Sequence, residues 1–295
     1  VFAWVLAVAL AADPPSDPRA LLPPDCPTVG WSMWWQTVDL GLAPTGDDLT
    51  VPWDDVASAT DALLREAFPD GRGVLVLGES HRKAGTHSYV KALMRASEVV
   101  DCVLLEHPAW HQHWVHAFVA GADCEDSWGI AEQTAFGLDE PLCRRDLRYR
   151  MLKVASRTAT AVYGLDSCYS CPPFRDIVRD ASSVVNDLPA DLFAEVVLED
   201  RNTFMAETAA AIYAEGRCGI SVVLSGRAHV KVPEGFVLQP VRTLPDELER
   251  LGLPTLAWPV FDVLEEIVGE RNPRPTHARF SRQDDEIVAV YVETL

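Results

Sequence analysis

The chain is short of positive charge, of long apolar runs and of the compact motifs that mark several large enzyme classes. Against 44 Asp and Glu stand 25 Lys and Arg, a formal net charge of −19. Neutralising phosphates takes a basic face, so this deficit argues against a nucleic-acid partner. The acidic excess more simply keeps the chain soluble. The longest apolar run, Val1 to Ala12, falls short of the roughly 20 residues that span a bilayer, so no membrane span is expected in the mature chain. No G-x-S-x-G elbow, no H-E-x-x-H and no G-x-x-x-x-G-K-[ST] occurs. The usual serine hydrolases, zincins and P-loop enzymes are therefore disfavoured. The cysteines lack the local context of a papain-like nucleophile.

The opening run is followed by Asp13-Pro14-Pro15, and Ala9-Leu10-Ala11 fits an A-x-A cleavage site. Residues 1–12 read as the remnant of a secretory signal, without a Met or basic residues before it. A buried N-terminal segment is the plainer alternative. The expected location is secreted, periplasmic or at the cell envelope. Seven cysteines suit an exported chain with disulfides, and the odd count leaves at least one free thiol. Cys102, inside an apolar strand, is expected to be a buried, inert thiol. Cys124 and Cys143 form a plausible bridge. Cys168-Tyr169-Ser170-Cys171 has C-x-x-C spacing, which reads as a loop disulfide, since a structural zinc site needs four ligands.

With 295 residues and 48% hydrophobic content, the chain has material for a real core. Residues 13–50, rich in Pro and carrying Trp31, Trp34 and Trp35, read as an extended arm whose tryptophans pack onto the main domain. Residues 51–295 read as one α/β domain. Apolar runs predict strands at 73–77, 101–106, 160–166, 220–225, 255–260 and 287–292. Helical spacing predicts helices at 54–68, 86–99, 109–120, 127–136, 144–156, 174–185, 191–214 and 245–251. Thr86 is the expected cap of the second. This alternation implies an α/β fold with a mostly parallel central sheet and helices on both faces.

Four of the strands end in polar, charged or metal-capable residues: Gly78-Glu79-Ser80-His81, Glu106-His107, Asp166, and Ser225-Gly226-Arg227-Ala228-His229. Ligands of open α/β sheets bind outside the carboxyl ends of the strands. These acids and imidazoles are therefore expected on one rim, where they suggest metal-assisted hydrolysis or a metal or haem ligand set. Glu79, His81, Glu106 and His229 are the candidate ligands of a divalent metal. Without metal, His81 would act as general base, oriented by Glu79 or Glu106. Arg201 is one turn from Met205 on the apolar side of its helix. It needs an acidic partner, for which the rim carboxylates are candidates, and would stabilise developing negative charge. The plainer alternatives are a solvated loop pair at 79–81, a salt bridge from Glu106 to Arg201 or Arg227, and a surface Arg201.

His107, His111, His113 and His116 interleave with Trp110 and Trp114. They would border a haem or metal pocket, or form a covering helix with exposed imidazoles. The second reading is preferred except for His107, which adjoins Glu106 and stays a cofactor-binding candidate.

The ordered set Gly78-Glu79-Ser80-His81, Leu105-Glu106, Gly164-Leu165-Asp166, Arg201 to Met205-Ala206, and Gly226-Arg227-Ala228-His229-Val230 resembles the superfamily uniting erythromycin esterases, ChaN-type haem-uptake proteins and the Tiki/TraB proteins. The resemblance covers about residues 73–232, and its G-E-x-H spacing is similar to the ChaN-type branch. Arg82 stands where ChaN-type sequences usually have Asp, and no lipoprotein cysteine follows the apolar leader. The resemblance implies an α/β core with a rim of Glu and His. It also implies one of three activities: metal-dependent hydrolysis, ester hydrolysis with a His base, or haem binding. The expectation is thus a secreted hydrolase of an ester or amide, acting on a small-molecule or peptide substrate. The alternatives are a haem- or metal-binding uptake protein without turnover, and a member that has kept the fold and lost the chemistry.

Overall fold

The structure is a computed structural model that describes residues 28–30, 48–79, 84–131, 143, 147–167, 187–189, 198–231, 241–264, 275–283 and 286–294. The strands are β1 (Thr28–Gly30), β2 (Leu49–Pro52), β3 (Gly73–Glu79), β4 (Val100–Pro108), β5 (Ala161–Asp166), β6 (Asp187–Pro189), β7 (Ile220–Gly226), β8 (Thr255–Leu264), β9 (Pro275–Gln283) and β10 (Glu286–Thr294). The helices are α1 (Val56–Ala67), α2 (Ala84–Ala96), α3 (Gln112–Val119), α4 (Leu147–Thr158), α5 (Asp200–Ala214), α6 (Arg227–Val230) and α7 (Leu244–Arg250).

One sheet of eight strands runs in the order β2-β9-β10-β8-β3-β7-β4-β5. From β10 through β8, β3, β7 and β4 to β5 every pairing is parallel, whereas β2 with β9 and β9 with β10 are antiparallel. The α/β, mostly parallel sheet with helices on both faces is thus the fold of the chain. β1 and β6 form a separate antiparallel pair.

Side-chain alternation divides the core in two. Leu75 and Leu77 of β3, Val103 and Leu105 of β4, and Val222 and Leu224 of β7 pack against α1, α2, α3 and α4. Val74, Val76, Leu104 and Val223 point the other way, against α5, α6 and α7. β3 and β7 are buried along their whole length. Their continuous apolar runs follow from being covered on both faces, as central parallel strands are.

The connections fix where a site belongs. α2 carries the chain from β3 over β7 to β4, while α6 and α7 carry it from β7 over β3 to β8, on the opposite face. The crossovers leave the adjacent strands β3 and β7 in opposite directions. The crevice between their carboxyl ends is where such sheets bind ligands. Glu79 and Gly226 are paired there in register.

Several boundaries shift. α2 begins at Ala84, so Thr86 lies within its first turn and does not cap it. β2 and β9 were not anticipated. β9 reads Pro-Thr-His-Ala-Arg-Phe-Ser-Arg-Gln, with too few apolar residues to stand out as a strand. Cys102 is not a free thiol. It is bonded to Cys218, with their Cα atoms 5.8 Å apart. Cys102 pairs with Ser221 across β4 and β7, which sets it beside the segment leading into β7. Cys124 and Cys143 are bonded as expected. The 1–12 leader, Trp31, Trp34, Trp35, His81, the C-x-x-C pair and the 174–185 helix lie outside the described residues.

Candidate functional site

The buried stripe of α5 runs through Arg201, Asn202, Met205, Ala206, Ala209, Ile212 and Tyr213. Its last two turns are apolar and pack on the sheet. Its first turn puts a guanidinium and an amide on the same stripe, level with the strand ends. Arg201 Nε donates to Asp166 Oδ1 at 3.1 Å, and Nη2 donates both to Glu106 Oε1 at 2.5 Å and to Asp166 Oδ2. All three groups are buried. A lone carboxylate there would carry a desolvation penalty of several kcal/mol, which the shared guanidinium offsets. The second oxygen of Glu106 accepts from the backbone N–H of Gly226 at 2.6 Å. The carboxylate is thus held by β7 as well as by α5.

His229 comes to the same carboxylate from α6. Its Nε2 lies 3.4 Å from Glu106 Oε1, and its Nδ1 lies 2.6 Å from Asn202 Oδ1. Gly78 makes this approach possible. A Cβ there would sit 3.0 Å from Val230 Cγ2 and 3.2 Å from the Arg227 Cα, so a side chain here would require α6 to give by a few tenths of an ångström.

A second polar group occupies the other face of the sheet. Glu79 Oε2 lies 3.3 Å from His87 Nδ1 on α2, and Glu79 Oε1 lies 3.8 Å from Arg148 Nη2 on α4. His107 follows Glu106 directly and therefore points to the opposite face. Its ring centroid is 4.7 Å from Trp128 and 5.3 Å from His111. Burial, then the Arg148 charge, then His111 hold His107 well below the ordinary imidazole range. Burial, assisted by His113, brings His111 down to about 4. Both rings are therefore neutral at physiological pH. His113 and His116 are exposed, as a covering helix predicts, whereas His111 is buried.

The structure therefore brings Glu106, Arg201 and His229 together and adds Asp166 and Asn202 to them. Glu79 pairs with His87 and Arg148, and His107 packs with Trp128 and His111. Among the described residues, Glu79, Glu106 and His229 do not bring three donor atoms within 4.8 Å of one another. The one group that meets this spacing is Asp101 with the bonded Cys102 and Cys218. Those two sulfurs already share a covalent bond, which leaves no thiolate for an ion. Glu106 and His229 still offer a carboxylate oxygen and an imidazole nitrogen converging at 3.4 Å, a donor set suited to a divalent cation. Sequence reasoning did not single out Asn202, His87 or Arg148. Asn202 had a usable signal, as a polar side chain beside Arg201 on the apolar stripe.

No family model matches the chain, and no curated protein matches it. Among solved structures it is similar to the type III effector HopBA1, with a TM-score of 0.45 and 14% identity, covering 87% of this chain and 97% of that one.

Proposed function

We propose that the rim is a hydrolytic site for an ester or amide, with Glu106 and His229 as the reacting pair. The carrying observation is their convergence at 3.4 Å. Each partner is braced from behind, Glu106 by Arg201 and the Gly226 N–H, His229 by Asn202. A carboxylate oxygen and an imidazole nitrogen at that distance are stabilised by sharing a proton or a cation. In this reading the pair takes a proton from the attacking water and returns it to the leaving group, general acid–base work worth about 10²–10⁴ in rate. A divalent ion held by Glu106 and His229 would polarise the carbonyl and bring the pKa of bound water toward about 7. Arg201 spends its Nε and Nη2 on Asp166 and Glu106, so its first role here is to hold Glu106 in place. The two disulfides suit a secreted protein in an oxidising compartment. The alternative of haem bound through His107 has no observation in its favour, because that ring is fully buried against Trp128 and His111.

The test is a panel of ester and amide substrates, run with added divalent ions and with chelator, on the wild type, Glu106→Gln and His229→Ala. The expected result is turnover in the wild type that falls by about two to four orders of magnitude in each variant. Turnover that survives both substitutions, or none on any substrate under any metal condition, overturns the reading.

A further inference from the structure

We infer that Asn202 is a positioning residue that fixes the proton of His229 on Nδ1 and so makes Nε2 the nitrogen that receives a proton or cation beside Glu106. The inference deepens the hydrolytic reading and rests on it for its catalytic meaning. The geometry itself is independent of any turnover.

The argument starts at a backbone carbonyl. The Arg242 oxygen can only accept, and an Asn202 side-chain atom lies 2.8 Å from it. That atom must be the amide nitrogen. The other end of the Asn202 amide is then the oxygen, also an acceptor, and it faces His229 Nδ1 at 2.6 Å. Nδ1 must therefore carry the hydrogen, because the bond made by one ring nitrogen decides where the proton sits on the other. Nε2 is left with its lone pair toward Glu106 Oε1, 3.4 Å away. Flipping the amide would set two oxygens against each other at Arg242. Asn202 is fully buried and His229 nearly so, so bulk water does not compete for these bonds.

The carbonyl that anchors this chain of bonds is itself fixed. Arg242 Nε donates to Glu199 at 3.0 Å, and Arg242 Nη1 lies 2.9 Å from Glu247. The next residue, Thr243, caps α7 in a reciprocal bond with Asp246. Asn202 therefore transmits the position of the α7 entry to the ring of His229. Every group in the network is satisfied once Nε2 bears a proton or a metal ion, and one acceptor faces another when it bears neither.

The test is nitrogen-15 NMR of the histidine rings in the metal-free full chain, at an alkaline pH where imidazoles are neutral. The His229 signal is identified by its loss in His229→Gln. The expected wild-type signature is a pyrrole-like Nδ1 and a pyridine-like Nε2, the reverse of the tautomer preferred by free histidine. Asn202→Ala is expected to return the ring toward the Nε2–H form. Asn202→Asp keeps an acceptor at the same place and is expected to retain Nδ1–H. A wild-type ring protonated on Nε2, or a tautomer unchanged in Asn202→Ala, overturns the inference. Should Asn202→Ala fail to fold, the wild-type and Asn202→Asp spectra decide it. An Nδ1–H signature in a protein that hydrolyses nothing leaves this inference standing and removes the hydrolytic reading; turnover with an Nε2–H ring does the opposite.

Discussion

Arg201 joins Glu106 to Asp166, the last acidic residues of two adjacent strands, through one buried guanidinium. Both carboxylates depend on the same cation. Arg201→Leu would leave two buried negative groups without their shared counter-charge, and breaking a buried pair in this way costs about 3–5 kcal/mol. Arg201→Lys is expected to recover only part of this, because an ammonium cannot reproduce the fork that engages Asp166 through Nε and Nη2. Urea unfolding of the two variants checks the order wild type, then Lys, then Leu. Equal midpoints for all three would show that the pair contributes nothing to stability.

The neutral histidines of the opposite face predict a pH dependence. His111 is held at about 4 against an ordinary 6.5, and His107 is displaced in the same direction. Both rings bind protons more readily in the unfolded chain than in the folded one. Their contribution is therefore fully present above about 6.5 and is lost as pH falls from there toward about 4. Among the described residues His111 Nδ1 has no hydrogen-bond partner, and α3 begins at the next residue. A proton on that ring would thus meet the positive end of a helix as well as His113. Denaturation midpoints across this range should decline with acid in the wild type and decline less steeply in His111→Leu. Parallel curves for the two proteins would remove His111 from the account.

How much of this was readable in advance follows from how each feature is encoded. β3 and β7 announce themselves because burial on both faces writes uninterrupted apolar runs, β4 and β5 carry shorter ones, and Glu79, Glu106 and Asp166 at the ends of β3, β4 and β5, with His229 past β7, mark the rim. Alternation along a strand was the unused clue. Glu106 and His107 are neighbours in sequence, and period two sends one to Arg201 and the other to Trp128. The expected single set of ligands is therefore divided between two faces, with Glu79 beside His87 and Arg148. Asn202 acts through a bond to a backbone oxygen forty residues away, which no local pattern records. The Cys102–Cys218 bond closes a separation of 116 residues, and only the β4–β7 pairing brings its ends together.

That bond offers a clean separation of stability from function. It ties the start of β4 to the entry of β7, at the end of the sheet away from Glu106 and Gly226. Closing so long a loop restricts the unfolded chain, and removing such a bond typically costs about 2–5 kcal/mol. The double variant Cys102→Ser with Cys218→Ser should melt lower while keeping the environment of the His229 ring unchanged. Thermal unfolding and the histidine NMR spectrum, recorded on one sample, check both halves. A large change at His229 would show that the two ends of the sheet are coupled.

Among the described residues the sheet ends at β5, and an outermost strand offers unpaired backbone groups to any passing strand. No strand among the described residues pairs with the outer edge of β5, and Gln112 engages it, with the His116 ring also bonded to the Val162 backbone. Gln112, the first residue of α3, donates through Nε2 to the Val162 carbonyl at 2.7 Å and accepts from the Gly164 N–H at 2.7 Å. This reproduces the donor-and-acceptor pattern of a strand with a single amide. Gln112→Ala removes both bonds; the Val162 carbonyl keeps its bond to the His116 ring, so the cost, about 1–3 kcal/mol, falls on the Gly164 N–H left unsatisfied. Gln112→Glu is the sharper experiment. Its carboxylate still accepts from Gly164 but sets an oxygen against the Val162 carbonyl, so one bond survives and the other becomes repulsive. If the amide protects the edge, both variants will self-associate at concentrations where the wild type stays monodisperse by sedimentation. Gln112→Glu will be at least as destabilised as Gln112→Ala at neutral pH and will recover when acid restores a donor to the carboxyl. A wild-type sedimentation profile in both variants would mean that β5 is kept from pairing by something other than Gln112.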